Sequence, residues 1–243
     1  MQIRPKYWVI SLMLLSALAI AGCSDSLSAP DSDGSPTATG ATPSPVASAD
    51  PNRPFNGLPI LEGKATVVMT VKGSPITISV DGTKAPVTSG NFVDLVERGF
   101  YDGLTFHRVV REPQPFVVQG GDPLGNGTGG FIDPATGQER QIPLEITPQE
   151  ESKPIYSQTF PVAQINKPPE LQHTRGAVAM ARSQFPDSAS SQFYFTLADL
   201  SFLDGNYAVF GYVTEGMEGV DAIQQGDKID SATVTQGLEN LKR

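Results

Sequence analysis

An all-β fold, a barrel or a sandwich, is the class this sequence predicts. Many short runs of β-branched and aromatic residues follow one another along the chain, only two stretches carry a helical pattern, and no regular βαβ alternation appears. The 24 glycines and 21 prolines among 243 residues supply the turns that so many short strands need.

The elements fall in order from about Phe55. Ala65 to Val71 and Ile76 to Val80 are β-branched runs parted by Lys72, Gly73 and Ser74, which predicts a hairpin. A helix follows. Pro86 suits its first turn, Phe92, Leu95 and Val96 form an i, i+3, i+4 stripe, and Gly99 is placed to stop it. Further strands are expected over Thr105 to Val110, Phe116 to Gln119, Ala177 to Ala181, Gln192 to Leu197 and Tyr207 to Val213. A short helix over Met217 to Ile223 precedes a last strand at Ile229 to Val234.

The region before Phe55 has a different composition. Residues 1–22 read as a lipoprotein signal peptide: Arg4 and Lys6 make a positive start, and Tyr7 to Ile20 is an apolar run too short to span a bilayer comfortably. Ile20-Ala21-Gly22-Cys23 resembles the bacterial lipobox, in which the cysteine is lipidated and becomes the mature N-terminus. Cys23 is the only cysteine, so a disulfide framework within the chain is excluded. Residues 24–54 are rich in Ser, Ala, Pro, Thr, Asp and Gly and cannot bury enough apolar surface to offset chain entropy. As a flexible linker they would reach about 30 Å. Residues 55–243 are then the folded domain, and the whole is expected to be exported and held on a membrane facing the periplasm or extracytoplasmic space.

Charge and composition also exclude functions. The formal charge of -9 repels phosphate backbones, which argues against nucleic acid as a partner. Two histidines and one cysteine are too few for a typical zinc site. Gly125 to Gly130 spells G-x-G-x-x-G, but Pro134 and Gly137 stand where the phosphate-binding helix should begin, and the βαβ frame is missing.

An ordered set of motifs resembles the cyclophilin family. It comprises Asn91-Phe92, Tyr101-Asp102-Gly103, Phe106-His107-Arg108-Val109-Val110, the run Phe116 to Asp122 and Gly127-Thr128-Gly129-Gly130. Gly176 to Ala181, Ser191 to Phe195, Leu203-Asp204-Gly205 and Phe210-Gly211 complete it. The resemblance covers roughly Ala65 to Val234. It implies a closed eight-stranded antiparallel β-barrel capped by two α-helices, with a peptide groove on the outer surface. It also implies a peptidyl-prolyl cis/trans isomerase that works on proline-containing polypeptides as a monomer without a cofactor.

The chemistry of that reaction is rotation about the bond preceding proline. Uncatalysed, it meets a barrier of roughly 18–20 kcal/mol because the twisted amide loses resonance. No nucleophile, metal or proton reservoir is needed; the site need only bind the twisted amide better than either planar form. The resemblance assigns catalysis to Arg108, Phe116 and Gln119. A guanidinium, always charged and rich in donors, can meet the localised lone pair of the twisted proline nitrogen. The resemblance also assigns an apolar proline socket to Phe116, Val117, Tyr194 and Leu203. Gln119 and Gln192 would donate to substrate carbonyls, and backbone groups near Ala181 and Arg182 would bind peptide as an added strand does. His107 is expected to pack and hydrogen bond beneath Arg108, while His173 has no acid or nucleophile at an informative spacing and reads as structural.

Five positions depart from the best-known eukaryotic members: Val117 for methionine, Tyr194 for phenylalanine, Phe202 for tryptophan, Tyr207 for histidine and Arg182 for asparagine. Phe202 and Tyr207 are expected to weaken drug binding more than turnover; Val117 and Tyr194 alter the socket itself. A proline-rich insertion near 133–170 lengthens the domain by about twenty residues, and a long ordered loop is uncommon without a job. It either flanks the groove or is a tolerated surface addition. The rival to an enzyme is a tethered module that holds proline segments, as a chaperone or scaffold, with little turnover.

Overall fold

The computed structural model describes Phe55 and residues 57–243. The signal, the linker and Cys23 lie outside the described residues. Among the described residues the principal sheet has eight strands: β1 (Lys64–Val71), β2 (Ser74–Asp81), β3 (Arg108–Val109), β4 (Val117–Gly120), β5 (Ala177–Met180), β6 (Phe193–Thr196), β7 (Val209–Glu215) and β8 (Ile229–Gln236). They pair antiparallel in the order β8-β1-β2-β7-β5-β6-β4-β3. Two α-helices complete the frame, α1 (Pro86–Glu97) and α2 (Met217–Ala222).

The hairpin is built by alternation. Ala65, Val67, Met69 and Val71 of β1 and Ile76, Ile78 and Val80 of β2 point into the core, with half-exposed residues between them. Its loop is shorter than expected. Val71 pairs with Ser74, and the two linking residues, Lys72 and Gly73, have φ of 52° and 74°. Positive φ at both positions is the type I′ geometry that suits the strand twist.

The barrel closes differently from the expectation. The stretch Thr105 to Val110 does not form one strand, and β3 and β8 share no ladder. Leu104 to Phe106 instead pair with the entry to β8, through a Thr105–Lys228 bridge and the bonds Phe106 N–H to Asp227 O (2.8 Å) and Ile229 N–H to Leu104 O (2.9 Å). The chain must leave that seam before β3 can pair with β4, which shortens β3 to two residues. Inside, Phe92, Tyr101, Phe106, Phe193, Phe195 and Phe210 pack with ring centroids 4.9–6.3 Å apart.

Helix α1 begins at Pro86, as the sequence indicates, but it is buried on every side from Val87 to Val96. Gly90 lies against the backbone of Pro59 and Ile60, where a Cβ would collide. The 133–170 region supplies much of the cover. Ile142 to Pro148 is an unbroken buried run, and Leu144, Ile146 and Phe160 form a small core with Ala208. Glu145 lies in this run and accepts the N–H groups of Val87 (3.2 Å) and Thr88 (2.8 Å) at the helix N-terminus. Burial pushes its carboxyl above the usual carboxylate range, although those donors pull it down. This region is therefore packed structure rather than a surface addition.

Candidate active site

The outer face of the β3–β4–β6 sector carries the groove. Antiparallel register puts Arg108 opposite Gln119 and Gln119 opposite Tyr194, so the three side chains emerge on one face. Arg108 Nη1 donates to Gln119 Oε1 (3.2 Å), Gln119 Nε2 to Gln192 Oε1 (3.0 Å), and Gln192 Nε2 to the Gly129 carbonyl (2.9 Å). This relay of neutral amides holds an exposed guanidinium and ends on the glycine loop.

Beside it lies a cavity of about 230 Å³ lined by Arg108, Phe116, Val117, Gln119, Ala181, Arg182, Tyr194, Leu203 and Tyr207. The Arg108 guanidinium carbon sits 5.4 Å from the Phe116 ring centroid, at the mouth of this cavity. Arg182 is 4.7 Å over the Tyr207 ring and donates to the Asn206 carbonyl (2.7 Å). A second, more polar cavity of about 340 Å³ shares Gln119, Ala181 and Arg182 and adds Glu139 and Gln141 from the 133–170 side and its approach. That segment also braces the socket: Phe160 N–H donates to Gly205 O (2.8 Å), two residues beyond Leu203. The structure thus favours the first of the two readings of this region, one that flanks the groove.

The expected residues converge, with four qualifications. Phe202 is 68% exposed and stacks on Phe116 at 6.1 Å, which places it on the rim rather than in the cavity wall. The Ala181 N–H is not free for an added strand, because it donates to Gln192 O (2.9 Å). Gln119 and Gln192 have each committed one amide N–H within the relay, leaving one apiece for a substrate.

His107 makes no hydrogen bond: both ring nitrogens are buried without a partner. Asp122, the carboxylate that acts on it electrostatically, accepts the N–H groups of Leu124, Asn126 and Gly127 instead. Burial pushes the His107 pKa down, and Arg108 pushes it further against the pull of Asp122. His107 is therefore a neutral packing residue. The same three hydrogen bonds shape the glycine loop around Asp122, and the chain continues into the short strand Ile132–Asp133 where a dinucleotide fold would need a helix.

Sequence spacing did not reveal what stands behind the socket. His173 is buried, its Nε2 lies 3.0 Å from the Tyr194 hydroxyl, and its Nδ1 lies 2.8 Å from Asp204 Oδ1. These partners are 21 and 31 residues away in the chain, so no local pattern announces them.

Comparison with known proteins agrees with this geometry. Residues 66–240 match the family described as cyclophilin type peptidyl-prolyl cis-trans isomerase/CLD. The chain is 47% identical over 198 residues to a Synechocystis protein described as a candidate thylakoid lumen peptidyl-prolyl cis-trans isomerase, covering 77% of this chain and 51% of that one. It is 42% identical over 205 residues to a chloroplastic peptidyl-prolyl cis-trans isomerase of Arabidopsis thaliana, covering 77% of this chain and 46% of that one. The chain thus spans about half the length of these relatives. A crystal structure of a Cryptosporidium parvum cyclophilin shares the fold, with a TM-score of 0.56 at 24% identity over 71% of this chain and 98% of that one. The chain belongs to the cyclophilin family.

Proposed function

We propose that this cyclophilin-family chain isomerises X–Pro bonds in exported or membrane proteins, as a monomer held at a membrane by lipid on Cys23. The observation that carries the reading is Arg108. Its one side-chain hydrogen bond among the described residues goes to a neutral amide, and it stands at the mouth of the cavity walled by Phe116, Val117, Tyr194 and Leu203.

A proline ring seated in that cavity removes apolar surface from water and fixes one side of the bond. Rotation of the preceding residue then localises the lone pair on the proline nitrogen, and a remaining Arg108 N–H can donate to it. That donation strengthens only as the amide twists, so it lowers the barrier rather than merely binding substrate. Each increment of about 1.4 kcal/mol in this preference is a factor of ten in rate. The spare N–H groups of Gln119 and Gln192 lie along the groove for substrate carbonyls.

A protease-coupled isomerisation assay on an Ala-Pro tetrapeptide tests the activity. Turnover well above the spontaneous rate is expected; tight binding without turnover would instead support the tethered binding module. The lumenal and chloroplastic descriptions of two relatives support export. The lipobox-like Ile20 to Cys23 supports the anchor. Cys23→Ser should abolish fatty-acid labelling and release the protein from the membrane fraction. Wild type that is soluble and unlabelled in its host would refute the tether.

A further inference from the structure

We propose that His173 is a positioning residue for the proline socket, acting through Tyr194, with Asp204 fixing the tautomer in which it does so. The inference rests on the isomerase reading above and goes beyond it. Tyr194 contributes its ring to the cavity wall, yet the residue is only 5% exposed and its hydroxyl meets His173 Nε2 at 3.0 Å. The polar end of the side chain is thus tied behind the wall it forms.

The hydrogen-bond inventory allows one assignment. Asp204 Oδ1 accepts both the backbone N–H and the Nδ1 side of His173, each at 2.8 Å. An ionised carboxylate only accepts, so Nδ1 carries the ring proton and the Nε2 lone pair faces the phenol. Burial pushes the His173 pKa down, against the pull of Asp204, and the ring stays neutral. Burial, aided by Tyr207 and Asp204 and opposed by Arg182, pushes the Tyr194 phenol far up, so its O–H remains a donor. That O–H has an acceptor at Nε2, and swinging the ring out of the wall would break the bond and strand the acceptor in the interior.

Two walls depend on this chain. Asp204 directly follows Leu203, which also lines the cavity, so the Asp204–His173–Tyr194 series ties the Leu203 loop to the β6 wall. His173 and Tyr194 also stack at 6.1 Å and 15°, which restricts tilting of the phenol ring. The order acid, imidazole, hydroxyl is that of a hydrolytic relay, but a phenol held protonated behind the wall is no nucleophile. Its work here is geometry.

A double-mutant cycle on the full chain tests this. His173→Phe keeps a ring to stack on Tyr194 but offers the phenol no acceptor. KM for an Ala-Pro tetrapeptide should rise about tenfold with kcat changed far less. His173→Gln, whose amide oxygen can accept, should recover most of the loss. In a Tyr194→Phe background there is no O–H to hold, and His173→Phe should then cost less than about twofold. Equal losses in both backgrounds would mean that His173 merely packs, and would overturn the proposal. Thermal melts accompany each variant. If His173→Phe fails to fold, the double variant must fold and His173→Gln must retain activity; failure of the double variant assigns His173 to stability alone. Should wild type bind the tetrapeptide without turning it over, the isomerase reading fails while the same cycle, read as Kd by calorimetry, still decides the positioning role. Wild type that neither binds nor turns over overturns both.

Discussion

Arg108 and Arg140 are both held by hydrogen bonds and both sit against a phenylalanine ring, and they serve opposite ends. Arg140 is buried, 4.6 Å over Phe131, and bonded to Asp94 (2.7 Å) and Asp133 (3.0 Å). Asp94, fully buried on α1, also receives Arg98 and Arg243 at 2.7 Å each. The arginines there are paired with carboxylates, Arg140 reaching the Asn91 amide oxygen as well (3.4 Å), and the knot joins α1 to the 133–170 region and to Arg243. Arg108 is exposed, and its side-chain hydrogen bond goes to an amide oxygen. A guanidinium neutralised by acids stabilises a fold. One steadied by a neutral relay keeps most of its donors uncommitted, as the role proposed for Arg108 requires.

The largest expected effect falls on the buried member. Arg140→Ala leaves Asp94 with Arg98 and Arg243, removes the bridge to Asp133, and should cost about 1.5–3 kcal/mol in denaturant unfolding. kcat/KM per folded molecule should not change. A substantial loss of activity at full folding would break the separation between the two arginines.

Arg108→Ala should do the reverse. kcat/KM should fall at least about tenfold, or about 1.4 kcal/mol, with the melting temperature and far-UV CD little altered. Near-full activity in this variant would sink the mechanism proposed for the groove.

A smaller effect sharpens the contrast along pH. Burial would raise the Asp94 carboxyl, but hydrogen bonds from Arg98, Arg243 and Arg140 outweigh it and hold the group below its ordinary 3.8. A depressed carboxylate contributes stability that is complete above its unfolded value and is lost as pH falls through the folded one. Unfolding free energy should therefore decline below about pH 4, and Arg140→Ala should flatten that acid limb. Turnover should stay level from about pH 6.5 to 8.5, because both histidines are pushed below their ordinary 6.5 by burial. A turnover limb inside that window would show that a titrating group shares the chemistry.

Local rules made parts of the molecule legible in advance. The β1–β2 hairpin follows from alternating β-branched residues, and α1 from Pro86, an apolar stripe and a glycine stop. The motif set around Arg108, Phe116 and Gln119 located the groove. The loop of Lys72 and Gly73 came out shorter and the Thr105 strand broke, because turn geometry and the seam with β8 compete with simple propensity. The pairing of Ile60–Leu61 with Leu241–Lys242 is too short to leave a pattern in either segment. His107, expected to hydrogen bond, makes none, while Asp122 accepts from the backbone of the glycine loop.

Sequence by itself determined which backbone segments extend, which coil, and which residue types can meet a twisted amide. Those properties depend on the side-chain period and the donor inventory of each residue, and both are local. Tertiary structure decided which charges are neutralised and which stay available. A stripe shows a helix only its own face, so nothing near Asp94 announces that the 133–170 region will cover it or that Arg140 will arrive from 46 residues away. Nor does anything near Tyr194 announce His173. Burial and pairing are relations between distant segments, and they take physical form only when the barrel closes and brings those segments into contact.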